Sequence, residues 1–436
     1  MSRSFWLRLE SVSGGAASNL QPTRVVLLMG IPYYVASLLR AHKHIQKPYQ
    51  TFEADVLCMD FNCFLHKAIK DDDPIGSVIT ELRVYLDRMR VKKVYIAFDG
   101  LVPYAKIVQQ RYRRFRIPDK AGAFDRHQLS PETPYMRELA RELKLAFPQA
   151  VISGTDEHGE GEHKIFRWLR TLDPCARSTV AIYGLDADLV LIALAQRAVG
   201  YVYLLRDEDA LSISALASVL PLPVDEYIPM CIRYFGNDFM PAISMFSLRE
   251  DGHGRALRMK NPVEMETKVL IERRKPTDAH IVAADGLALE SKVGLLFDGV
   301  IDWAPVCEAY WKTYAWTLHY FTTSEVPDWC WVYPYAEAPL LQTLADFDQP
   351  TSFVWDHPTP PFHVGNQLQF ILPAASLRTA KRRVKFPDEM YDESKDTRHP
   401  WMRRYAWECD PLISCPWSPD RSFTSVNEVD LLSSSS

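Results

Sequence analysis

Residues 55–60 read DVLCMD, and this short stretch decides the fold. Its apolar residues are followed at once by a carboxylate, which is the pattern of a buried strand that ends in a polar turn. The pattern recurs in KVYIAFD at residues 93–99 and in TVAIYGLDAD at residues 179–188. Residues 201–205 form another apolar run of strand length. We therefore predict strands at residues 55–59, 93–98, 179–183 and 201–205.

Stretches of helical character separate these strands, at residues 75–89, 134–145, 163–172 and 187–197. Strands that alternate with helices favour a doubly wound, mostly parallel sheet, so we predict the α/β class. The predicted division of the chain is a flexible N-terminal extension (1–24), an α/β domain (25–250), a connection or insertion (251–290), a helical, aromatic-rich second region (291–417) and a disordered tail (418–436).

The composition limits the class of protein. The chain has 436 residues, of which 47% are hydrophobic, and a net charge of −5; it can bury a large core and does not resemble a general nucleic-acid coat protein. Its eight cysteines form no CxxC pair, which favours reduced thiols. The most apolar stretch, residues 25–39, is interrupted by Gly30 and Pro32 and is too short for a membrane span. We expect a soluble intracellular protein, with cytoplasm and nucleus both open.

Carboxylates follow three of the predicted strands. In open α/β sheets, ligands bind at the carboxyl ends of the strands, so these acids should share one rim. More acids lie in HGEGEHK and in FGNDFMP. Each acid alone has a plainer interpretation as a helix cap or turn residue. Together they predict a site for divalent cations, because Mg²⁺ prefers oxygen ligands. The predicted metal and catalytic residues are Asp60, Asp99, Glu160, Glu162, Asp186, Asp188 and Asp238.

The segment AKIVQQRYRRFR, residues 105–116, can form a helix with a core face and a polar face. At about 100° per residue, its polar face gathers Lys106, Gln110, Arg113 and Arg114. No acid occurs between Asp99 and Asp119. Such a face suits a terminal phosphate, because arginine offers forked donors and lysine a point charge. A solvated basic face is the alternative.

Long strings of the sequence resemble the eukaryotic 5′→3′ exoribonuclease (XRN) family. They are MGIPYYV, LCMDFNCFLH, IAFDGLVPYAKIVQQRYRRFR, GEGEHKI, YGLDADLVLIAL and FGNDFMP, in the family's order across residues 29 to about 250. A second block, YWKTYAWTLHYFTTSEVPDWCWVYPYAEAP followed by PFHVGNQLQFILP, resembles the family's second nuclease region. The chain departs from the family pattern in two places: its MGIP string begins only at Met29, and HQLSPETP at residues 127–134 replaces the family's NCITPGTP.

The resemblance implies a nuclease that removes mononucleotides from single-stranded RNA bearing a 5′-monophosphate. It implies that the seven acids hold two Mg²⁺ ions, for which Mn²⁺ can substitute. It implies that Lys106, Gln110, Arg113 and Arg114 bind the 5′-phosphate and that His66 stacks on a terminal base. Trp331 is a further stacking candidate; its neighbour Trp329, or plain core packing of both rings, is the alternative. Protein partners are not predicted.

Two other functions remain as alternatives. A flap-type structure-specific DNA nuclease shares the acidic rim, but it should carry a glycine-rich helix–hairpin–helix, and the sequence has none. A non-catalytic module that binds RNA 5′ ends would keep the basic face and need no metal. The cluster KRRVK at residues 381–385 fits either a nuclear import signal or a solvated loop.

Overall fold

A computed structural model describes residues 31, 34–115, 124–172, 178–184, 186–206, 208–243, 254, 257, 303–335, 338–339, 341–385 and 391. The predicted extension at 1–24, most of the connection at 251–290 and the predicted tail at 418–436 lie outside the described residues. The predicted domain boundaries therefore stay predictions.

A seven-stranded sheet forms the centre of the molecule, in the order β1-β7-β6-β5-β2-β3-β4. The five strands from β6 to β4 in this order run parallel, and β7 and β1 add antiparallel pairs at one edge. The predicted α/β fold with a mostly parallel sheet is thus confirmed. The strands are β1 (Gln46–Pro48), β2 (Phe52–Asp60), β3 (Met89–Ala97), β4 (Val151–Ser153), β5 (Thr179–Tyr183), β6 (Tyr201–Arg206) and β7 (Asp209–Ser212).

Helices connect the strands and continue beyond the sheet. Up to residue 243 they are α1 (Tyr34–Ala41), α2 (Phe61–Ala68), α3 (Gly76–Leu86), α4 (Tyr104–Arg114), α5 (Pro134–Ala146), α6 (Gly161–Leu169), α7 (Asp188–Ala195), α8 (Ile213–Val219) and α9 (Val224–Phe235). In the second region they are α10 (Trp303–Thr323), α11 (Leu341–Asp346), α12 (Val364–Ile371) and α13 (Ala374–Thr379). Short 3₁₀ turns occur at Lys43–Ile45, Arg126–Leu129 and Arg197–Val199.

The predicted elements are found, with shifted ends. The helix predicted at residues 75–89 ends at Leu86, because Met89 already pairs with Phe52 and opens β3. The predicted helix at 163–172 begins earlier, at Gly161. The backbone N–H of Gly161 donates a hydrogen bond to Asp99 Oδ1. Strands β1, β4 and β7 were not predicted, because each has only three or four residues and lies at or near a sheet edge.

Two apolar cores lie on opposite faces of the sheet. Along β2, Val56 and Cys58 join one core and Leu57 and Met59 join the other, as expected from the twofold alternation of a strand. Helices α2, α3 and α5 cover the second core, whereas α6, α7, α9 and α10 cover the first. The long helix α10 buries Trp316 in the first core, so the second region packs directly on the sheet domain.

The described part of the chain has no single helix that is long and apolar enough to cross a membrane. Only α8 and α9 taken together reach that composition, and they meet at an angle of 86°.

Candidate active site

The predicted acids lie at the carboxyl ends of four neighbouring strands, β5, β2, β3 and β4, or in the loop after α9. Asp60 ends β2, and Asp99 lies two residues after β3. The acid cluster, as we call these carboxylates, comprises Asp60, Asp99, Glu160, Glu162, Asp186, Asp188 and Asp238. All except Asp99 are buried, and their charges act on one another through space. The sheet therefore brings together residues 178 positions apart in the chain (238 − 60).

Helix capping does not explain the cluster. Asp60 and Glu160 occupy the N-cap positions of α2 and α6, yet neither side chain forms a capping hydrogen bond. Asp99 instead bonds across elements: its Oδ1 accepts from the Gly161 N–H at 2.8 Å, and its Oδ2 accepts from Asn62 Nδ2 at 2.6 Å. Asp186 alone acts partly as a turn residue in this set, because its Oδ1 accepts a hydrogen bond from the backbone N–H of Asp188 at 3.1 Å.

Burial and mutual repulsion disfavour the ionised carboxylates. Desolvation, followed by the charge of Asp99, raises the pKa of Asp60 to about 7. Desolvation and the charge of Asp186 raise the pKa values of Glu162 and Asp188 well above the usual range. Buried anions at this density are costly unless cations balance them. The cluster is therefore a strong potential binding site for positive charge.

Cations of the basic segment reach the cluster. Lys106, only 7% exposed, places Nζ 2.7 Å from Glu160 Oε2 and 2.7 Å from Asp238 Oδ2. Although burial opposes ionisation, Lys106 and then Arg113 hold the pKa of Asp238 below its usual range. Arg113 Nη2 lies 3.8 Å from Asp238 Oδ2. The predicted phosphate-binding residues thus directly adjoin the acids.

The predicted basic segment is helix α4, which we call the basic helix. Gln110 is buried, and its Oε1 accepts from Gln367 Nε2 of α12 at 3.4 Å. Arg114 Nε donates to Ser130 Oγ at 2.9 Å. Burial and the neighbouring charge of Arg113 lower the pKa of Arg114 to about 10, so its guanidinium stays charged at neutral pH. Two adjacent guanidiniums that repel each other suit an anion.

The two predicted stacking residues lie in different surroundings. His66 is exposed near the end of α2, and Arg126 Nη1 donates to its carbonyl oxygen at 3.3 Å. Neighbouring protein atoms desolvate its ring, and with the nearby arginines they lower its pKa to about 4, so the imidazole is neutral. Trp331 is half-buried, donates its indole N–H to Thr313 Oγ1 at 3.0 Å and lies 4.5 Å beneath Lys312 Nζ. Base stacking by either ring stays a prediction.

The sequence of this region matches a known family. The family model described as the XRN 5′-3′ exonuclease N-terminus matches residues 29–123 and 118–208, which carry six of the seven acids and the basic helix. The similarity to the XRN 5′-3′ exonuclease family thus extends over residues 29–208, which is less than half of the chain. The match ends before Asp238 and the second region.

Similar proteins include XRN enzymes from several organisms. Identity is 33% over 202 residues to 5′-3′ exoribonuclease 1 of Saccharomyces cerevisiae, covering 36% of this chain and 13% of the yeast protein. It is 28% over 230 residues to 5′-3′ exoribonuclease 1 of Homo sapiens, covering 41% and 13%. It is 28% over 302 residues to 5′-3′ exoribonuclease 2 of Candida glabrata, covering 46% and 30%. The chain spans less than a third of the length of each of these relatives.

A solved structure, the catalytic core of Rad2 in complex with DNA substrate, aligns over 82% of this chain and 97% of that one. Its TM-score is 0.36 and its sequence identity 14%, and at this level the likeness bears on neither the fold nor the function.

The acid cluster fits divalent cations in charge and in donor type. Its donors are carboxylate oxygens, and Asp60 Oδ1 is buried without a hydrogen-bond partner. Among the described residues, no three His, Cys, Asp or Glu side chains already stand in an arrangement that holds a metal ion. The carboxylates of the acid cluster would therefore have to adjust around an ion.

Three residues that support the acid cluster were not predicted. Asn62 donates to Asp99, and Cys63 Sγ donates to Asp60 Oδ2 at 2.8 Å. Tyr320, from α10 in the second region, donates its hydroxyl to Glu160 Oε1 at 3.0 Å. The first two follow Asp60 within one helical turn in the string MDFNCF, so their contacts near Asp60 could have been predicted from the sequence. No sequence spacing connects Tyr320 with Glu160.

A methyl group at Gly161 should disturb the acid cluster. Its Cβ would lie 2.8 Å from Asp60 Oδ1 and 3.1 Å from the Ala97 carbonyl oxygen, both closer than ordinary contact. We expect Gly161→Ala to lower RNA cleavage about a hundredfold, because small displacements of catalytic groups are costly. Gly365→Ala is the matched control, since its Cβ meets only the mobile end of Arg382 at 3.3 Å. Equal activity of both variants would contradict this account of the site.

Without metal ions, the raised carboxyl pKa values should make the protein less stable as pH rises. The pKa of Asp60 is about 7 in the folded state and about 3.9 in an unfolded chain. The folded state therefore binds more protons between these values, and stability falls as pH rises through that window. We expect urea unfolding in EDTA to show this fall from about pH 4 to about pH 7, with a smaller fall in Asp60→Asn. An Asp60→Asn slope equal to the wild-type slope would exclude Asp60 as the source.

Proposed function

We propose that this chain is a 5′→3′ exoribonuclease that hydrolyses single-stranded, 5′-monophosphorylated RNA to mononucleotides. The observation that carries the proposal is the direct junction between the acid cluster and the basic helix. Arg113 lies 3.8 Å from Asp238, and Lys106 bridges Asp238 and Glu160. A 5′-phosphate on the basic helix would thus bring the next phosphodiester bond to the acids, so cleavage would begin at the end of the strand.

The acid cluster would hold two Mg²⁺ ions, with Mn²⁺ as a substitute, and such ions would supply activation of a water molecule and charge stabilisation for the leaving oxygen. Lys106, Gln110, Arg113 and Arg114 would bind the terminal phosphate in a small, positively charged pocket that excludes capped and triphosphate ends. The neutral ring of His66 stacks on the first base, and Trp331 on a further one. We also propose an intracellular location, which tagged full-length protein in fractionated cells would test.

The deciding experiment uses purified protein, Mg²⁺ and RNA labelled at its 3′ end, with a 5′-monophosphate or a 5′-triphosphate. Stepwise shortening of the monophosphate RNA alone, lost with EDTA, is the expected result. Internal cuts in both RNAs would retain the metal site and overturn end recognition. Cleavage of branched DNA in preference to RNA would favour a flap-type nuclease, and binding of RNA ends without cleavage would favour a non-catalytic module.

A further inference from the structure

Both ring nitrogens of one buried histidine face hydrogen-bond acceptors. His127, 2% exposed, lies in the 3₁₀ turn Arg126–Leu129. Its Nδ1 is 2.8 Å from Asp125 Oδ1, and its Nε2 is 2.8 Å from the carbonyl oxygen of Arg114. An ionised carboxylate and a carbonyl can only accept hydrogen bonds. Each ring nitrogen must therefore carry a proton, and a ring with two N–H groups is a positively charged imidazolium.

We propose that His127 is a buried imidazolium that fixes the C-terminal end of the basic helix, so that recognition of the RNA 5′-phosphate depends on its protonation. The inference rests on the proposed function, because it concerns the same phosphate-binding residues. It makes His127 a positioning residue that acts through Arg114.

The 3₁₀ turn contacts Arg114 at two points. His127 donates to the Arg114 carbonyl, and Ser130, which caps the turn, accepts from Arg114 Nε at 2.9 Å. Ser130 is itself held by its backbone N–H to the His127 carbonyl at 3.1 Å. Arg114 is the last residue of the basic helix, where carbonyl groups lack helical partners and a cation is favoured by the helix dipole. The main chain and side chain of Arg114 thus depend on one short element.

The surrounding charges support a protonated ring. Asp125 also accepts the His127 backbone N–H at 2.9 Å and is the anion that faces the ring. Arg114 opposes the charge from the basic helix, and Arg126 lies in the same 3₁₀ turn. Arg114 and Arg126 also act on His66 of α2. On the α5 side, Glu132 Oε2 lies 3.7 Å from Arg137 Nη1, so these charges offset each other.

The sign of the pH effect follows from these contacts. Although burial opposes the charge, the bonds to Asp125 and to the Arg114 carbonyl raise the pKa of His127. As pH rises through this raised pKa, the ring loses one proton. The charged Asp125 retains the remaining N–H, because a carboxylate is the stronger acceptor. The bond to Arg114 is then lost, and phosphate recognition weakens on the alkaline side.

A substitution at position 127 can keep a hydrogen-bond donor and remove the titration. An asparagine amide can donate hydrogen bonds but does not titrate. His127→Asn therefore separates the positioning role from the protonation.

The test begins with the full-length protein labelled with ¹⁵N-histidine, observed by NMR in EDTA from about pH 6 to about pH 9. We expect one ring, assigned by its loss in His127→Asn, to carry two protonated nitrogens at low pH and to lose one as pH rises. A ring with a single N–H at the acid end would overturn the proposal.

Equilibrium binding of fluorescent 5′-monophosphate and 5′-hydroxyl RNA in EDTA provides the functional readout. We expect the wild-type preference for the monophosphate to fall about tenfold across the titration, the size of one lost hydrogen bond to a charged group. His127→Asn should keep the preference without this slope, and the exposed control His319→Gln should behave like wild type. An undiminished slope in His127→Asn would overturn the inference alone. Absence of any preference in the wild type would overturn the proposed function as well.

Discussion

Asp188→Asn should abolish RNA cleavage while making the metal-free protein more stable. Asp188 is 2% exposed, and desolvation with the charges of Asp186 and Asp238 raises its pKa. Removing its charge would take away a proposed ligand for the catalytic cations, which we expect to cost at least about a thousandfold in rate. The same change removes a buried negative charge that its neighbours repel. Asparagine keeps a carbonyl oxygen that can accept the Ile31 N–H, as Asp188 Oδ1 does at 3.1 Å.

Cleavage rates with Mg²⁺ and thermal unfolding in EDTA would measure these opposite effects. We expect the unfolding temperature to rise by about 2 °C or more, consistent with roughly 1 kcal/mol of relieved repulsion. Asp72→Asn, at an exposed position before α3, is the matched control and should change neither quantity. Near-normal turnover by Asp188→Asn would exclude Asp188 from the metal site. A lower unfolding temperature would mean that the carboxylate serves the fold.

Arg113→Ala should remove most of the preference for 5′-monophosphate RNA. Arg113 lies between Asp238 and Arg114, so it connects the acids with the predicted phosphate position. Loss of its forked donors should lower kcat/KM for 5′-monophosphate RNA about a hundredfold, the size of a charge-assisted pair. Activity on 5′-hydroxyl RNA, which lacks the phosphate, should change by less than about threefold.

The comparison with Arg113→Lys separates charge from geometry. Lysine keeps a positive charge near Asp238 but presents no planar fork, so it should recover only part of the preference. Lys70→Ala, a change at an exposed salt bridge with Glu81, is a control for general loss of positive charge. An equal loss by Arg113→Ala on both RNAs would show that Arg113 serves the acid cluster and not the phosphate.

Hydrophobic runs and their trailing acids were enough to predict the central part of this molecule. The four predicted strands fall inside observed strands, except that the prediction at 93–98 runs one residue past the end of β3. They could be recognised because a buried parallel strand is a short apolar block bounded by polar residues. The junction at residues 86–89 was assigned wrongly, since Met89 fits a helical pattern as well as a strand and only its pairing with Phe52 decides. The short edge strands carry too few apolar residues to be recognised.

Asp60, Asp99, Asp186 and Asp188 could be found in the sequence because they follow predicted strands, and the fold class indicates where strand ends meet. The partners of the acid cluster could not. Lys106 was assigned to the phosphate by its place on the helical wheel, whereas the structure also pairs it with Glu160 and Asp238. Tyr320 reaches Glu160 across 160 positions of chain. Contacts between residues so far apart in the chain depend on how helices pack on the sheet, and local sequence periodicity does not predict that packing.

Because the residues of the acid cluster are far apart in the chain, the cluster can assemble only late in protein synthesis. A growing polypeptide that has emerged only as far as β5 already carries Asp60 and Asp99, yet it lacks Asp238 and the Tyr320 hydroxyl. Domains fold as units once their sequence is available. The acid cluster therefore remains incomplete on the ribosome until Asp238 and α10 have left the exit tunnel.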